Sequence, residues 1–248
     1  MKPLTEPRVS VPEDPAIAQL SFFRKVKFTW VGKNCLLGVD NQGKYGICWA
    51  YASTEAITAA YAILKGEVIP LSKQLAVGRL DYGIISEQVY PYTGIRNTCK
   101  CLDPTNMIPK RGACKWLSAL DPSKGAKFIK IKRFDVVWEK HNGLGINDMK
   151  RIEKAIEQQP LTCTISYSRS FSKHRGKKVY MGLTEKEKKI AARETQPKLH
   201  AILIVGYGKE RRVEFYVAKN TYGKKWGYRG FGKIVRSLVI DLVRPIIE

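Results

Sequence analysis

Hydrophobic and polar positions follow two different periods along the chain, and each period predicts its own kind of element. Apolar or small residues keep helical spacing from Cys48 to Lys65, and Gly66 follows as a natural C-terminal stop. We therefore expect a long helix over Cys48–Lys65. The same reasoning predicts a second helix over 147–158 with Asn147 as its cap, and a shorter one over 72–80 capped by Ser72.

Strand-like stretches dominate the second half of the chain. Apolar alternation or short apolar runs predict one strand with loops within 21–39, and further strands over 128–137, 161–167, 201–207, 214–218 and 232–235. Residues 91–126 carry prolines, glycines and three cysteines, which predicts a long loop-rich segment. Helices early and strands late are typical of the α+β class, which we predict for this chain.

Composition and charge narrow the classes of partner. An apolar share of 44% is that of a globular protein, and no run of eighteen apolar residues predicts a membrane span. The formal net charge of +22 predicts attraction to nucleic acid, anionic membranes or acidic proteins, so nonspecific polyanion binding is one expectation. No nucleic-acid motif accompanies the charge. A solvated face is therefore the favoured explanation of the dense basic stretch 173–189.

The six cysteines do not form the spacing of a zinc site. Only one close pair exists, Cys99 and Cys101, and the remainder stand at Cys35, Cys48, Cys114 and Cys163. We expect mostly free thiols, no metal and no cofactor. The first fourteen residues contain no apolar signal region, which for the chain as given predicts a cytoplasmic or nuclear location. If a leader is missing, the expectation becomes vacuole, lysosome or the extracellular space.

Cys48 stands where a glycine-rich loop enters the first predicted helix. The positive field at the amino end of a helix favours a thiolate, and the backbone N–H groups there can stabilise an oxyanion. Gln42, six residues upstream, carries an amide donor that suits the same oxyanion. A structural cysteine at a helix start would be the commoner explanation for a cysteine taken alone.

His200 and Asn220 mark the ends of two predicted strands. His200 lies at the mouth of an apolar strand, where a satisfied core histidine is the commoner case. Asn220 closes a strand before a turn rich in glycine and aromatic residues, and asparagine in such a place usually serves the turn. Neither residue by itself indicates catalysis.

Together these segments resemble the papain-like cysteine peptidases over most of residues 26–236. The stretch from Asn41 reads NQGKYGICWAY against the family pattern NQGxCGxCWAF. The stretch from His200 reads HAILIVGYG against HAVxxVGYG, and that from Lys219 reads KNTYGKKWGYRGF against KNSWGxxWGxxGY. Shorter likenesses occur at 71–75 and 86–94. The resemblance implies a two-domain fold, with a helical left domain, a β-barrel-like right domain and an active-site cleft between them.

The resemblance also implies the roles of the site residues. Cys48 is then the nucleophile, a thiolate paired with protonated His200, which later protonates the leaving amine and activates water. Asn220 orients the imidazole, while Gln42 and the Cys48 N–H bind the oxyanion. The activity implied is a cysteine-type endopeptidase that acts on protein or peptide substrates through a thioester, as a monomer.

Three aromatic residues are expected to support the site. Trp49 follows the nucleophile in the motif, and Trp226 resembles the family tryptophan that packs near the triad and limits access of water. Tyr222 stands where the family has a tryptophan covering the bond between asparagine and histidine. We predict the division 1–24 for a polar extension, 25–120 for the mainly helical domain with the nucleophile, and 121–248 for the mainly β domain with His200 and Asn220.

The sequence departs from the family pattern at two places, and the second departure motivates a rival hypothesis. Tyr45 replaces the cysteine that precedes the nucleophile, so the usual adjacent disulfide cannot form. The segment 75–82 is too short for the glycine-rich strand that pairs with an extended substrate. The rival is a catalytically weak or inactive papain-like binding protein that holds a partner with its cleft or its basic surface.

Overall fold

The computed structural model describes residues 12–43, 46–71, 73, 84–85, 128–129, 131–140, 145–193 and 198–248. Several sequence predictions lie outside these residues. They are the cap and most of the helix over 72–80, the loop-rich segment 91–126, the turn over 86–94, the shortened segment 75–82, Tyr45, Cys99, Cys101 and Cys114.

The predicted long helix is confirmed at both ends. α-Helices of the described part are α1 (Cys48–Lys65), α2 (Ile146–Gln158), α3 (Arg169–Ser172) and α4 (Glu185–Ala191), with 3₁₀ turns over Pro15–Gln19, Ser21–Lys25 and Arg236–Leu238. Gly66 ends α1 in the left-handed region at φ 75° and donates its N–H to the carbonyl of Ala62 at 2.8 Å. Glycine adopts this conformation without steric cost, so the helix stops there.

Asn147 does not cap the second helix, so that prediction is wrong. The helix begins one residue earlier, at Ile146, and Gly145 occupies the N-cap position. The carboxylate of Asp148 accepts the N–H of Gly145 at 3.2 Å and satisfies it from inside the first turn. The sequence prediction chose Asn147 because asparagine is a common N-cap residue. Glycine is also accepted at the N-cap, and here Asp148 supplies the side chain that bonds to it.

One large sheet forms the body of the molecule. Its strands are β1 (Val26–Thr29), β4 (Ile131–Glu139), β5 (Leu161–Ser166), β6 (Val179–Tyr180), β7 (Leu199–Glu210), β8 (Val213–Lys219), β9 (Phe231–Val235) and β10 (Val239–Ile247). The order is β4-β10-β5-β7-β8-β9-β6, with β1 also on β7, and every pair is antiparallel except β6 with β9. A separate pair joins β2 (Ile84–Ile85) to β3 (Phe128–Ile129). The α+β class is confirmed.

Strand β10 had no counterpart among the predicted strands. Its buried residues are Val239, Leu242 and Pro245, so burial recurs at every third position instead of every second one. The strand lies between β4 and β5, and its register against both partners shifts at bulges. Bulges move residues from one face to the other, so the period of two that signals a strand is lost.

Helix α1 is buried on nearly all sides because its residues are small. Ala56, Ala59 and Ala62 pack against Val205 of β7 and Val217 of β8 in one core cluster. Small side chains let the helix axis approach the sheet closely, and burial on this scale stabilises the helix more than its own propensity does. The sheet therefore fixes the position of the amino end of α1, where Cys48 stands.

The first strand crosses β7 at a point where only glycine fits. A Cβ on Gly206 would contact the carbonyl oxygen of Phe28, so a larger residue would push β1 away from β7. Phe22 and Phe23, which precede β1, are buried in the same core as α1. The described end of the predicted polar extension thus contributes to the core, while the division of the chain into two domains stays a prediction. Among the described residues, no helix has the length and apolar character needed to cross a membrane.

Glu13 holds the first turns against the body through a buried carboxyl group. Its Oε2 accepts the N–H of Gly32 at 3.1 Å, and its own N–H donates to the carbonyl of Leu36 at 2.9 Å. Burial raises the pKa of Glu13 to about 7, and the bond from Gly32 offsets part of that rise. The folded state therefore binds a proton that the unfolded state releases near pH 4.5.

We predict that Glu13 makes the fold less stable as the pH rises from about 4.5 to about 7. A raised folded pKa contributes stability that is full below the unfolded pKa and lost through the folded one, here about 3 kcal/mol in total. Urea unfolding of the wild type and of Glu13→Gln at pH 5 and pH 8 measures this difference. Glu185→Gln, at an exposed position, is the control, and an equal pH response in all three proteins would contradict the prediction.

Candidate active site

A cleft of about 470 Å³ opens at the amino end of α1. The residues lining it come from the loop before α1, from the segment after β5, from the start of β7 and from the turn after β8: Asn41, Gln42, Gly43, Gly46, Cys48, Tyr167, Ser172, Leu199, His200 and Tyr222. The structure thus brings Cys48, His200, Gln42 and Tyr222 of the predicted site to one surface. Asn220 lies behind His200, where it is buried.

Cys48 is the first residue of α1, and its sulfur lies beside the strand that carries His200. Its Sγ accepts the backbone N–H of Ala201 at 3.3 Å, although 153 positions separate the two residues. The N-cap residue Ile47 makes no side-chain bond to the helix, and the N–H groups of Cys48 and Trp49 in the first turn act on the sulfur. These groups and the helix dipole place positive potential at the sulfur.

His200 is held by Asn220. Its Nε2 lies 2.8 Å from Oδ1 of Asn220, and the same Oδ1 accepts the N–H of Thr221 at 2.8 Å. An amide oxygen only accepts, so Nε2 carries the proton and Nδ1 of the neutral imidazole has the free lone pair. Asn220 thereby selects the tautomer of His200 in which Nδ1 is the basic nitrogen.

Tyr222 interacts with that basic nitrogen. Its hydroxyl lies 3.2 Å from Nδ1 of His200, and the two rings are stacked with centroids 4.6 Å apart. In the tautomer set by Asn220, the tyrosine hydroxyl is the donor and Nδ1 is the acceptor. The sequence predicted only a retained aromatic cover here; the hydroxyl, which a tryptophan lacks, adds a hydrogen bond on the base itself.

Gln42 is tied to the turn after β8 by both its backbone and its side chain. Its N–H donates to the carbonyl of Thr221 at 2.8 Å, and its Oε1 accepts the hydroxyl of Thr221 at 2.5 Å. One residue earlier, Asn41 forms an isolated bridge with Tyr222, and the N–H of Gly223 donates to the carbonyl of Asp40 at 3.0 Å. With its oxygen engaged, the Gln42 amide is oriented, and its NH₂ group is the donor it can offer to the cleft.

A buried ion pair joins α1 to the last residue of β8, which Asn220 follows directly. Lys219 and Glu55 form it with both side chains less than a tenth exposed, and the Lys219 ammonium also donates to the carbonyl of Gly38 at 3.1 Å. Burial raises the pKa of Glu55, and Lys219 offsets part of that rise. Glu55 lies two turns after Cys48 along α1.

Burial also sets the charge state of the two reactive groups. Burial raises the pKa of the Cys48 thiol, and the N–H groups of Ala201, Trp49 and Cys48 offset part of that rise. It lowers the pKa of His200 to about 4, while the bond to Asn220 raises it. The resemblance implied a thiolate and an imidazolium at rest. Burial acts against both charges, while the backbone N–H groups act in favour of the thiolate and Asn220 in favour of the imidazolium.

The two predicted supporting tryptophans have different surroundings. Trp226 is buried, donates its Nε1–H to the carbonyl of Phe171 at 2.7 Å and contacts that ring, which in turn contacts His200. Trp226 thus acts on His200 through Phe171. Trp49 is half-buried in the first turn of α1. The sequence did not predict Phe171 as a site residue, because a phenylalanine that contacts His200 cannot be told from an ordinary core phenylalanine by its sequence pattern.

The three cysteines of the described part differ in access. Cys35 and Cys163 are buried free thiols, and Cys48 is a partly exposed free thiol. Burial raises the pKa of Cys35 to about 12 and that of Cys163 as well. Only Cys48 combines access to the cleft with backbone donors, so it is the reactive thiol of this set.

Comparison with known proteins gives a family match across most of the chain. The family described as papain family cysteine protease matches residues 76–241, that is 166 of the 248 residues. This match includes His200 and Asn220 and begins downstream of Cys48. The assignment of Cys48 as nucleophile stays a prediction from its own motif, and its sulfur lies beside Ala201.

Curated relatives are plant and animal cysteine proteases. Germination-specific cysteine protease 1 of Arabidopsis thaliana is 24% identical over 84% of this chain and 51% of its own length. Pro-cathepsin H of Bos taurus is 27% identical over 82% and 57%, and a KDEL-tailed cysteine endopeptidase of Arabidopsis thaliana is 24% identical over 84% and 54%. This chain therefore spans little more than half the length of these relatives.

Solved structures share the fold. The bromelain protease of Ananas comosus in complex with the E64 inhibitor superimposes with a TM-score of 0.63 and 22% identity, over 89% of this chain and 98% of that one. A Carica candamarcensis cysteine protease in complex with E-64 gives the same TM-score and identity over 88% and 96%. The predicted papain-like α+β fold is confirmed.

We predict that Tyr222→Phe makes Cys48 more reactive. The hydroxyl stabilises the neutral form of His200, so its removal raises the pKa of His200 and eases proton transfer from the thiol. One hydrogen bond of about 1 kcal/mol corresponds to roughly fivefold in rate. The measurement is the rate of Cys48 alkylation by iodoacetamide between pH 4 and 9, resolved by mass spectrometry.

The control for this experiment is Tyr167→Phe, a tyrosine in the same cleft. In both proteins the alkylation rate should decrease at pH values below the pKa of His200, because a protonated imidazole cannot accept the proton of the thiol. Unchanged or slower alkylation of Tyr222→Phe at every pH would refute the role assigned to the hydroxyl.

Proposed function

This chain belongs to the papain family of cysteine proteases, and on that premise we propose that it is a cysteine-type endopeptidase with Cys48, His200 and Asn220 as its triad. One observation carries the proposal. The sulfur of Cys48 lies beside the backbone of Ala201, while the neighbouring His200 is held by Asn220 in the orientation that directs a basic nitrogen away from that asparagine. This arrangement supports Cys48 as nucleophile and His200 as base in the cleft, with Asn220 behind His200 as the orienting group.

Proton transfer accompanies attack in the mechanism we propose. As Sγ bonds to the carbonyl carbon of the substrate, Nδ1 of His200 takes the proton of the thiol. The NH₂ of Gln42 and the N–H of Cys48 stabilise the oxyanion. The imidazolium then gives its proton to the leaving amine as the C–N bond breaks, and a thioester remains. His200 next removes a proton from water, which hydrolyses the thioester and restores the thiol.

The roles we propose for Trp226 and Trp49 follow from their surroundings. Trp226 keeps Phe171 against His200 and excludes water from that side, and Trp49 belongs to the helix turn that supplies backbone donors. We also propose that 25–120 and 121–248 act as two halves that meet at the cleft. In support, Asn41 and Cys48 line the cleft from the first range, and Tyr167 and Tyr222 from the second.

We propose that the substrates are proteins or peptides and that the protein acts as a monomer. For the location we propose the vacuole, the lysosome or the extracellular space. A relative with the printed description KDEL-tailed supports this choice, since that tetrapeptide is a signal of the secretory pathway. The expectation of a cytoplasmic or nuclear site has no support among the relatives.

A binding protein of weak or absent activity is the second candidate. The observation that favours it is the hydroxyl of Tyr222 on the lone pair that a general base needs. Cys48→Ala separates the candidates, because a binding protein would keep its affinity for peptides and its cellular function without the thiol.

We expect E-64 to label Cys48 and no other thiol of the described part. The Cys48→Ala variant should lose peptide hydrolysis by about a thousandfold or more, as other nucleophile deletions do. Cys35→Ala and Cys163→Ala are matched controls, since their thiols are buried away from the cleft, and they should label and cleave like the wild type. Mass spectrometry of the adduct under reducing conditions is the measurement, and an unlabelled Cys48 would sink the proposal.

Gln42→Ala should lower kcat while it leaves KM nearly unchanged. Loss of one oxyanion donor costs about 100- to 1,000-fold in kcat in comparable sites, because the donor acts mainly in the transition state. Steady-state kinetics on one peptide substrate measures the split. Thr221→Val, which removes only the bond that orients the amide, should give a smaller loss; a change confined to KM would refute the assignment of Gln42.

A further inference from the structure

Two loops flank the side of the cleft on which His200 lies, and each belongs to a longer stretch of chain without any acidic residue. No aspartate or glutamate occurs from residue 168 to 184 or from residue 215 to 240. The first stretch contains the cleft residue Ser172, and Lys173 and Arg175 follow it directly. The second contains the cleft residue Tyr222, and Lys224 and Lys225 follow it just as closely. Both loops thus lead from the cleft to exposed cations.

Backbone bonds join the two loops into one surface. The N–H of Gly176 donates to the carbonyl of Gly227 at 2.8 Å, and the N–H of Gly227 donates to the carbonyl of His174 at 3.0 Å. Arg175 forms a parallel bridge with Gly227. We call the surface formed by Lys173, Arg175, Lys224 and Lys225 the basic rim. All four residues are exposed.

The basic rim carries charge that no described acid compensates. None of its four side chains forms an ion pair with a residue in the part of the chain that the structure describes. Some other exposed cations do pair with acids, as Lys188 does with Glu185 at 2.7 Å and Arg133 with Asp135 at 2.7 Å. The rim therefore keeps an uncompensated positive potential next to the cleft.

The chemistry of the proposed reaction fixes which part of a substrate meets the rim. His200 protonates the leaving amine, so the substrate segment that follows the scissile bond must lie on the His200 side of Cys48. That side is lined by Ser172 and Tyr222 and continues into the rim. An extended peptide advances about 3.3 Å per residue, so the first few residues after the scissile bond lie within reach of long basic side chains.

We propose that this cleft prefers substrates that carry acidic side chains in the first few residues after the scissile bond. The inference rests on the proposed endopeptidase function and adds the substrate class to it. Exposed charge pairs contribute individually little, but several pairs to one rigid surface add up. For a substrate with two acidic residues we expect kcat/KM to be about 5- to 20-fold higher than for its neutral isostere at low salt.

Three internally quenched peptides test the preference. They are identical except for two positions after the scissile bond, which hold Asp-Glu, Asn-Gln or Lys-Lys, and mass spectrometry identifies the bond that is cut. The ratio of kcat/KM for Asp-Glu over Asn-Gln is the readout. We expect this ratio to fall towards one at 1 M salt, where screening acts within about 3 Å.

A matched pair of double variants locates the effect. Lys173→Glu/Lys224→Glu should remove or invert the ratio. Lys25→Glu/Lys27→Glu makes the same change in net charge on exposed lysines at β1, which pairs with the end of β7 remote from His200, and should keep the wild-type ratio. Because each protein is compared with itself on two peptides, a loss of folded protein does not affect the ratio.

The outcomes separate failure of this inference from failure of the proposed function. Equal cleavage of all three peptides by the wild type overturns the acidic preference and leaves the endopeptidase intact. No cleavage of any peptide, together with no labelling of Cys48, overturns both. If both double variants change the ratio equally, net charge explains the effect and the rim does not. If single-stranded DNA binds the rim while the cleavage ratio stays at one, the rim is a nonspecific polyanion-binding surface instead.

Discussion

The buried ion pair between Glu55 and Lys219 is the constraint on which the geometry of the site depends. It connects α1, which begins at Cys48, to the end of β8, where Asn220 follows directly. Removing one partner would leave an uncompensated charge in the core, which typically costs about 3–5 kcal/mol. The pair therefore resists any sliding of the helix along the sheet, and the sulfur stays beside Ala201 while the imidazole stays on Asn220.

The burial that positions the reactive groups also suppresses their charges. Thiol and imidazole are both driven towards the neutral form, and the hydroxyl of Tyr222 stabilises the neutral imidazole further. Backbone N–H groups at the start of α1 oppose this tendency only where negative charge develops. In the mechanism proposed above, charge forms during attack, when the oxyanion donors are engaged, and the hydroxyl of Tyr222 adjusts how easily that charge forms.

Charge is distributed differently inside and outside the cleft. The reactive groups are enclosed, whereas the loops leading away from His200 are basic and exposed. A net charge of +22 by itself describes only attraction to polyanions in general. The connection of Ser172 and Tyr222 to two acid-free loops gives the preference proposed above its direction along the substrate, with acidic residues on the leaving-group side.

The sequence by itself determined the elements and residue types whose signal is local: α1 with Gly66 as its stop, the strands around His200 and Asn220, and the motifs that place Cys48, Gln42 and Asn220. The sequence did not predict strand β10, because bulges against two neighbouring strands remove the period of two. It also placed the cap of α2 wrongly, because Asp148 inside the helix takes the part of a polar cap. Only the tertiary structure decided what Nδ1 of His200 contacts, which charges meet in the core and which cations border the cleft. Such contacts join residues from about twenty to more than 160 positions apart, and no local pattern encodes the distance between them.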